Sequence, residues 1–296
     1  MRIHLVDGTY ELFRSYFGAP PRTSPDGREV GATVGLLRTL HLLVTTPGVT
    51  HAACAFDHVI ESFRNELFAG YKSSVGVAAD LLDQFPLAER AAAALGIVVW
   101  PMVEFEADDA LATAALRYVD RPEVEQVVIC SPDKDLAQVV TRRRVVCWDR
   151  RRDTFLDEDG VIAKFGVRPA SIPDWLALVG DAADGYPGIP EWGAKSAASV
   201  LARFDHLEGI PAEPGELGLP VGRATRLVGS LSARREEALL YRHLATLRRD
   251  VPLEEDPADL EWRGAGPELA ELCNELGDDG FAARVASRES DYWKKR

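Results

Sequence analysis

Short apolar runs, most of them rich in β-branched residues, recur at positions 2–6, 51–56, 96–100, 124–130 and 144–148. Each is five to seven residues long, the length of a buried strand rather than of a helix. Between them lie segments with helical spacing of apolar positions, at 29–45, 62–69, 80–95, 107–118 and 134–140. This alternation predicts an α/β fold, a mostly parallel sheet flanked by helices. From about residue 169 the pattern changes to helices separated by Gly/Pro-rich turns at 185–190, 209–222 and 254–267. We therefore expect an α/β domain over residues 1–168 and a helical region over 169–296. The stretch 71–83 is polar, small and glycine-containing, and is the segment expected to be mobile.

Apolar residues make up 46% of the 296-residue chain, enough for a sizeable core. There is no charged leader followed by a long apolar run, so neither a signal peptide nor a transmembrane helix is expected. The expectation is a cytoplasmic monomer. Cys54, Cys130, Cys147 and Cys273 are far apart and match no zinc or disulfide spacing, so they read as buried thiols.

The charge is −13, which at first sight argues against a nucleic-acid partner. Much of it is local. Nine acids stand beside strand ends or helix starts: Asp7, Asp57, Glu106, Asp108, Asp109, Asp133, Asp135, Asp181 and Asp184. Taken singly, several have ordinary explanations. Asp7-Gly8 is a common turn pair, and acids in a first helical turn complement the helix dipole. Asp133 and Asp181 could each cap a helix. Three acids within Glu106-Ala-Asp-Asp109 exceed what a dipole needs. Asp7, Asp57 and Asp133 follow strands, and ligands of such sheets bind beyond the carboxyl ends of the strands. Like charges at close quarters repel strongly, and a hard divalent cation is the usual remedy. A metal-dependent phosphoryl-transfer site follows as the first expectation.

Gly188-Ile-Pro-Glu-Trp-Gly193-Ala-Lys195-Ser196 reads as a glycine turn opening a helix. Turn amides and a helix start can cradle phosphate, with Lys195 as a point charge, although the ordinary reading is a packing turn. Arg14, Arg64, Tyr71 and Lys72 arise from the segments that carry the acids. Arg142–Arg144 and Arg150–Arg152 read as solvated surface.

These motifs resemble one family in order. Val-Asp-Gly with Arg14 downstream, Phe-Asp then Phe-Arg and Tyr-Lys over 56–72, Glu-Ala-Asp-Asp over 106–109 and Asp-Lys-Asp-Leu-Ala-Gln over 133–138 are joined by two more. Those are Ala-Leu-Val-Gly-Asp-x-x-Asp over 177–184 and Gly-Ile-Pro-x-x-Gly-x-Lys-Ser-Ala over 188–197. The chain resembles the 5′→3′ exonuclease domain of bacterial DNA polymerase I and its stand-alone relatives, the 5′-nuclease or flap endonuclease family. The match covers roughly residues 2–205.

The resemblance implies a PIN-like domain with a helical arch, and a helix–hairpin–helix variant at about 172–205. It implies two or more Mg²⁺ or Mn²⁺ ions held by the nine acids. Asp7, Asp57, Glu106 and Asp108 would hold the first ion. Asp133, Asp135 and Asp184 would favour the second, with Asp109 and Asp181 outer or shared. Lys72 and Arg64 would face the scissile phosphate, Tyr71 would stack on a displaced base, and Arg14 belongs to the same set. Gly188, Gly193, Lys195 and Ser196 would grip duplex DNA, with K⁺ at the hairpin. The partners implied are DNA with a 5′ flap, nick, gap or free 5′ end, a DNA polymerase or ligase, and no membrane. A free-standing nuclease is expected; the alternatives are a DNA-structure binding module with vestigial catalysis and a PIN-type ribonuclease. Three positions depart from the family pattern: Val75 replaces a second arch cation, Pro132 replaces a glycine, and Asp184 is followed by Gly185 rather than asparagine.

Overall fold

The computed structural model describes residues 1–295, with side chains described through Glu289. In chain order its elements begin β1 (Arg2–Asp7), α1 (Gly8–Gly18), α2 (Gly31–Val44), β2 (His51–Asp57), α3 (Phe63–Leu67), α4 (Ala79–Leu82) and α5 (Phe85–Ala94). They continue with β3 (Val98–Met102), α6 (Ala107–Val119), β4 (Gln126–Cys130), β5 (Val145–Asp149), β6 (Thr154–Leu156) and α7 (Glu158–Phe165). The helical part follows: α8 (Ile172–Val179), α9 (Ala194–Phe204), α10 (Val221–Ala233), α11 (Arg235–Ala245), α12 (Glu268–Glu275) and α13 (Asp279–Lys295). Two compact units result, each discontinuous in sequence. The first comprises Met1–Ile60, Ser74–Ser131 and Arg249–Arg296, and the second Glu61–Ser73 and Pro132–Arg248. Chain order alone suggests a single cut near 168, whereas compactness returns the last part of the chain to the α/β unit.

In the first unit four strands pair in parallel in the order β3-β2-β1-β4. Parallel strands covered by helices must be apolar throughout, which is why Ile3, Leu5 and Val6 of β1 and Ala53–Phe56 of β2 are fully buried. The register sets Asp7 opposite Ala55 and Asp57 opposite Met102, so both acids fall at carboxyl ends of adjacent strands. The expected helix over 80–95 is broken into α4 and α5. Pro86 has no N–H to give a continuing helix and is accommodated in the first turn of α5. The buried Gln84 between them accepts from the Thr33 amide at 3.0 Å. Three elements escape the periodicity: α1, whose N-cap is Asp7, the short β6, and α7.

The segment after 249 belongs to the first unit. Glu261 bridges to His51, and the Trp262 amide donates to Thr50 O at 2.9 Å. The Trp262 indole, 1% exposed, donates to Leu95 O at 2.7 Å.

In the second unit β5 and β6 form an antiparallel ribbon, and α8 packs against α11 and α9. The residues expected to be α-helical over 134–140 form instead a 3₁₀ turn, Asp135–Val139. Buried Asp174 of α8 accepts from Arg242 of α11 at 3.1 Å and pairs with His206 Nδ1 at 2.8 Å. Arg242 also donates to both oxygens of Glu208, at 2.7 and 2.6 Å. That fork pulls the Glu208 carboxyl down to about 2. A lowered carboxylate stabilises the fold above its unfolded value near 4.5, and the contribution is lost as pH falls toward 2. Glu208 is 57% exposed, so the effect is modest. Glu208→Gln is expected to lower stability by under about 1 kcal/mol at pH 7, with the gap to wild type closing between pH 4.5 and 2 in urea titrations. A gap independent of pH would show that Glu208 acts by packing instead.

Candidate metal centre

The second unit brings three of the predicted acids together. Asp135, Asp181 and Asp184 are buried, and a carboxylate oxygen from each lies within 4.8 Å of the others. Each arrives by a different local device. Asp135 opens the 3₁₀ turn, with its amide held by Asp133 Oδ1 at 2.8 Å. Asp181 follows Gly180, the φ +88 residue that ends α8, and the Asp181 amide donates to Tyr186 O at 2.8 Å. Asp184 sits in the turn that this bridge closes.

The electrostatics are strained without a counter-ion. Burial, then the charges of Asp133, Asp184 and Asp181, push the Asp135 carboxyl well above the usual range. Its Oδ1 is fully enclosed and has no hydrogen-bond partner among the described residues. The Tyr186 hydroxyl is likewise enclosed and unpartnered there, and burial followed by the same acids pushes it up too. An enclosed carboxylate oxygen without a donor, beside two more carboxylates, is a poor arrangement for a dry core and a suitable one for a hard cation. The donor set therefore fits Mg²⁺ or Mn²⁺.

Two lysines temper the repulsion. Lys134 makes a close ion pair with Asp181. Burial works against the Lys134 charge, but Asp181, Asp135 and Asp133 together raise its affinity for the proton. Lys72 Nζ lies 3.4 Å from Asp184 Oδ1 and its side chain remains 29% exposed. The Lys72 amide donates to Asp184 O at 3.0 Å, and Asn65 Nδ2 to Lys72 O at 2.9 Å, so the lysine is fixed at its backbone. Lys134, between Asp133 and Asp135, is a site residue that the sequence reading does not single out. Its sign, between two acids, was the available signal.

Five predicted acids lie in the first unit. Asp7 is 6% exposed and accepts from the Tyr10 amide and from Ser131 Oγ, both at 2.8 Å. Asp57 is half-buried and accepts from the Ala107 amide at 2.7 Å, which ties the end of β2 to the start of α6. Glu106 and Asp109 form a reciprocal cap on α6, with the Glu106 amide donating to Asp109 Oδ2 at 3.0 Å. The fully buried Asp109 is thus a helix-capping residue, while Asp108 is half-buried beside it. Ser131 had no motif to announce it.

The predicted cationic and aromatic residues are placed unevenly. Arg14 donates to buried Glu11 at 2.8 Å and to Thr39 Oγ1 at 3.3 Å. Tyr71 is 5% exposed, so its ring is largely covered rather than presented for stacking. Arg64 is 1% exposed, and its guanidinium donates to Leu244 O at 2.8 Å and Thr246 O at 3.2 Å. It joins α3 to the end of α11, a setting unlike the open phosphate contact expected. Arg64→Ala should cost about 2–4 kcal/mol in denaturant unfolding, since two carbonyls lose a charged donor. Unchanged stability with lost activity would return Arg64 to the phosphate. Val75 is 89% exposed.

The hairpin joins α8 to α9. Gly188 has φ +74, and the Ile189 amide donates to Leu178 O at 2.9 Å. Gly193 caps α9 together with Ser196, whose hydroxyl accepts from the Gly193 amide at 3.3 Å. Lys195 is exposed on the first turn.

Two family models cover most of the chain: the 5′-3′ exonuclease N-terminal resolvase-like domain over residues 2–166, and the 5′-3′ exonuclease C-terminal SAM fold over 167–268. A 5′-3′ exonuclease of Aquifex aeolicus is 31% identical, the match covering 93% of this chain and 90% of the relative. DNA polymerase I of Pseudomonas aeruginosa is 33% identical over 97% of this chain, which spans only 33% of that relative. The chain likewise spans 33% of DNA polymerase I of Bacillus caldotenax. Among solved structures, zinc-bound T5 5′-exonuclease superposes with a TM-score of 0.66 at 16% identity, covering 99% of this chain and 100% of that one. The catalytic core of Rad2 bound to DNA substrate gives 0.62 at 14% identity, covering 97% of this chain and 92% of that one. The fold agrees with these neighbours, no helix among the described residues is long and apolar enough to cross a membrane, and the chain belongs to the 5′-3′ exonuclease family.

Proposed function

We propose that the chain is a divalent-metal-dependent 5′-nuclease, hydrolysing DNA phosphodiesters near a 5′ end, at flaps, nicks or gaps, by a two-metal mechanism in replication or repair. The observation that carries this is the buried Asp135, Asp181, Asp184 group with its unpartnered oxygen. Structural neighbours also lend support: T5 5′-exonuclease has been solved with zinc ions bound, and T5 D15 flap endonuclease with DNA and metal ions.

Asp135, Asp181 and Asp184, with Asp133 beside them, would hold one ion; Asp7, Asp57, Glu106 and Asp108 would hold the other. A bound divalent ion supplies Lewis acidity, offsetting charge on a phosphate and acidifying water. The remaining work falls to side chains. Lys72, half-exposed beside Asp184, would offset charge on the phosphate. Lys134 would offset the charge of Asp181 through their ion pair. Gln138, buried, donates to Asp135 O at 2.8 Å and Ala245 O at 3.0 Å and so fixes the turn that presents Asp135. Lys195 and the hairpin amides would hold the duplex backbone, reading shape rather than sequence.

The test is a 5′-flap duplex, a nicked duplex and a matched RNA, each incubated with Mg²⁺, Mn²⁺ or EDTA, with a gel shift alongside. The expected result is metal-dependent product from the 5′ strand of DNA. Flap binding without product would favour a DNA-structure binding module, and cleavage of RNA alone a ribonuclease.

A further inference from the structure

The first unit contains a cavity of about 410 Å³ that uses none of the nine acids. It is lined by Arg38 and His41 of α2 and by Phe281, Arg284, Ser287 and Arg288 of α13. Its volume falls in the range of small-molecule sites, about 300–1,000 Å³.

His41 is the informative residue. It is 3% exposed, its ring meets Phe281 edge-on at 5.5 Å, and its enclosed Nε2 has no hydrogen-bond partner among the described residues. Buried polar nitrogens are almost always satisfied, so an orphan lining a cavity points to a group that enters it. Burial, then the nearby Arg288 charge, hold the imidazole down at about 4, so at neutral pH it is uncharged and still has an N–H to give.

The surrounding charge is positive. Arg38, Arg284 and Arg288 line the cavity, and Arg22 stands close by. Asp278 opposes them, lying 2.7 Å from Arg38, 3.4 Å from Arg284 and 3.7 Å from Arg22. One carboxylate against four guanidiniums leaves a local excess of cations, in a chain whose total is −13. Solvated helix arginines are common, but they do not ordinarily surround an unpartnered buried imidazole. Guanidinium forks match phosphate oxygens in pairs, and a neutral imidazole N–H adds a directional donor.

We propose that this cavity binds a phosphate group, supplied by a nucleic-acid backbone or by a free nucleotide. The proposal stands apart from the nuclease reading, because it involves no metal and can be tested with none present.

The experiment follows the imidazole resonances of the full chain by NMR, in EDTA at constant ionic strength. Inorganic phosphate, 2′-deoxyadenosine 5′-monophosphate and a short blunt DNA duplex are titrated separately. The His41 signals are expected to move saturably, with the affinity falling about tenfold or more in the Arg284→Ala/Arg288→Ala double variant. Arg288→Gln alone, at an exposed position, serves if the double variant is unfolded. A response to phosphate or the nucleotide identifies a small-anion site, and a response to the duplex alone identifies backbone binding. No movement of His41 with any of the three, or an undiminished response in the variants, overturns the proposal.

Discussion

Asp135→Asn is expected to reduce cleavage of a 5′-flap substrate by about 10²–10³-fold, the loss typical of removing one strong electrostatic contributor to a phosphoryl-transfer site. The variant keeps the shape of the side chain and removes its charge. A second readout separates a lost ligand from a damaged fold. Without metal, the substitution relieves repulsion among Asp133, Asp135, Asp181 and Asp184, so the variant should melt at or above the wild-type temperature. With Mn²⁺ added, the wild type should gain thermal stability by mass action and the variant much less. Undiminished cleavage, or an equal gain with metal, would remove Asp135 from the site.

Gly188→Ala should destabilise the protein by about 2–5 kcal/mol, measured by denaturant unfolding. An added Cβ would stand 2.4 Å from the Gly180 amide nitrogen and 2.5 Å from the Val179 carbonyl carbon, at φ +74. Those neighbours are backbone atoms, so no rotamer change relieves the clash. The sequence suggests Gly188 as a glycine that lets DNA approach; the geometry makes it first a glycine that lets the turn close on the end of α8. Gly193 differs, since a Cβ there meets nothing within 4 Å. Gly193→Ala should therefore leave stability nearly intact, and comparing the two variants separates folding from DNA grip. Equal stability of Gly188→Ala and wild type would contradict the close approach.

The central strands were legible because parallel strands buried on both faces are largely apolar, as 2–6, 51–56 and 124–130 are. That acids stand at element ends was legible for Asp7 and Asp57, which end strands, and for Asp135, which opens a turn. Longer-range placements were not. Arg64 looks like any helix arginine until Leu244 O and Thr246 O, some 180 residues on, are brought to it. Ser131 becomes informative only when the pairing of β4 with β1 sets it against Asp7. The last part of the chain returns to the sheet unit through Trp262 and through the buried α12 face Leu269, Leu272 and Cys273, and a helical face shows that a segment is buried but not which unit it packs on. The turn at 135–139 reads as an α-helix from its apolar spacing, yet it is a 3₁₀ turn whose start is fixed by the Asp133 side chain.

The most direct test is a crystal of the full chain grown with Mn²⁺, with the ion located by its anomalous scattering. The expected result is an ion bound by Asp135, Asp181 and Asp184, with oxygens at about 2.0–2.6 Å and the Asp135 Oδ1 atom among its ligands. Manganese bound elsewhere, with this triad left to protons and lysines alone, would contradict it.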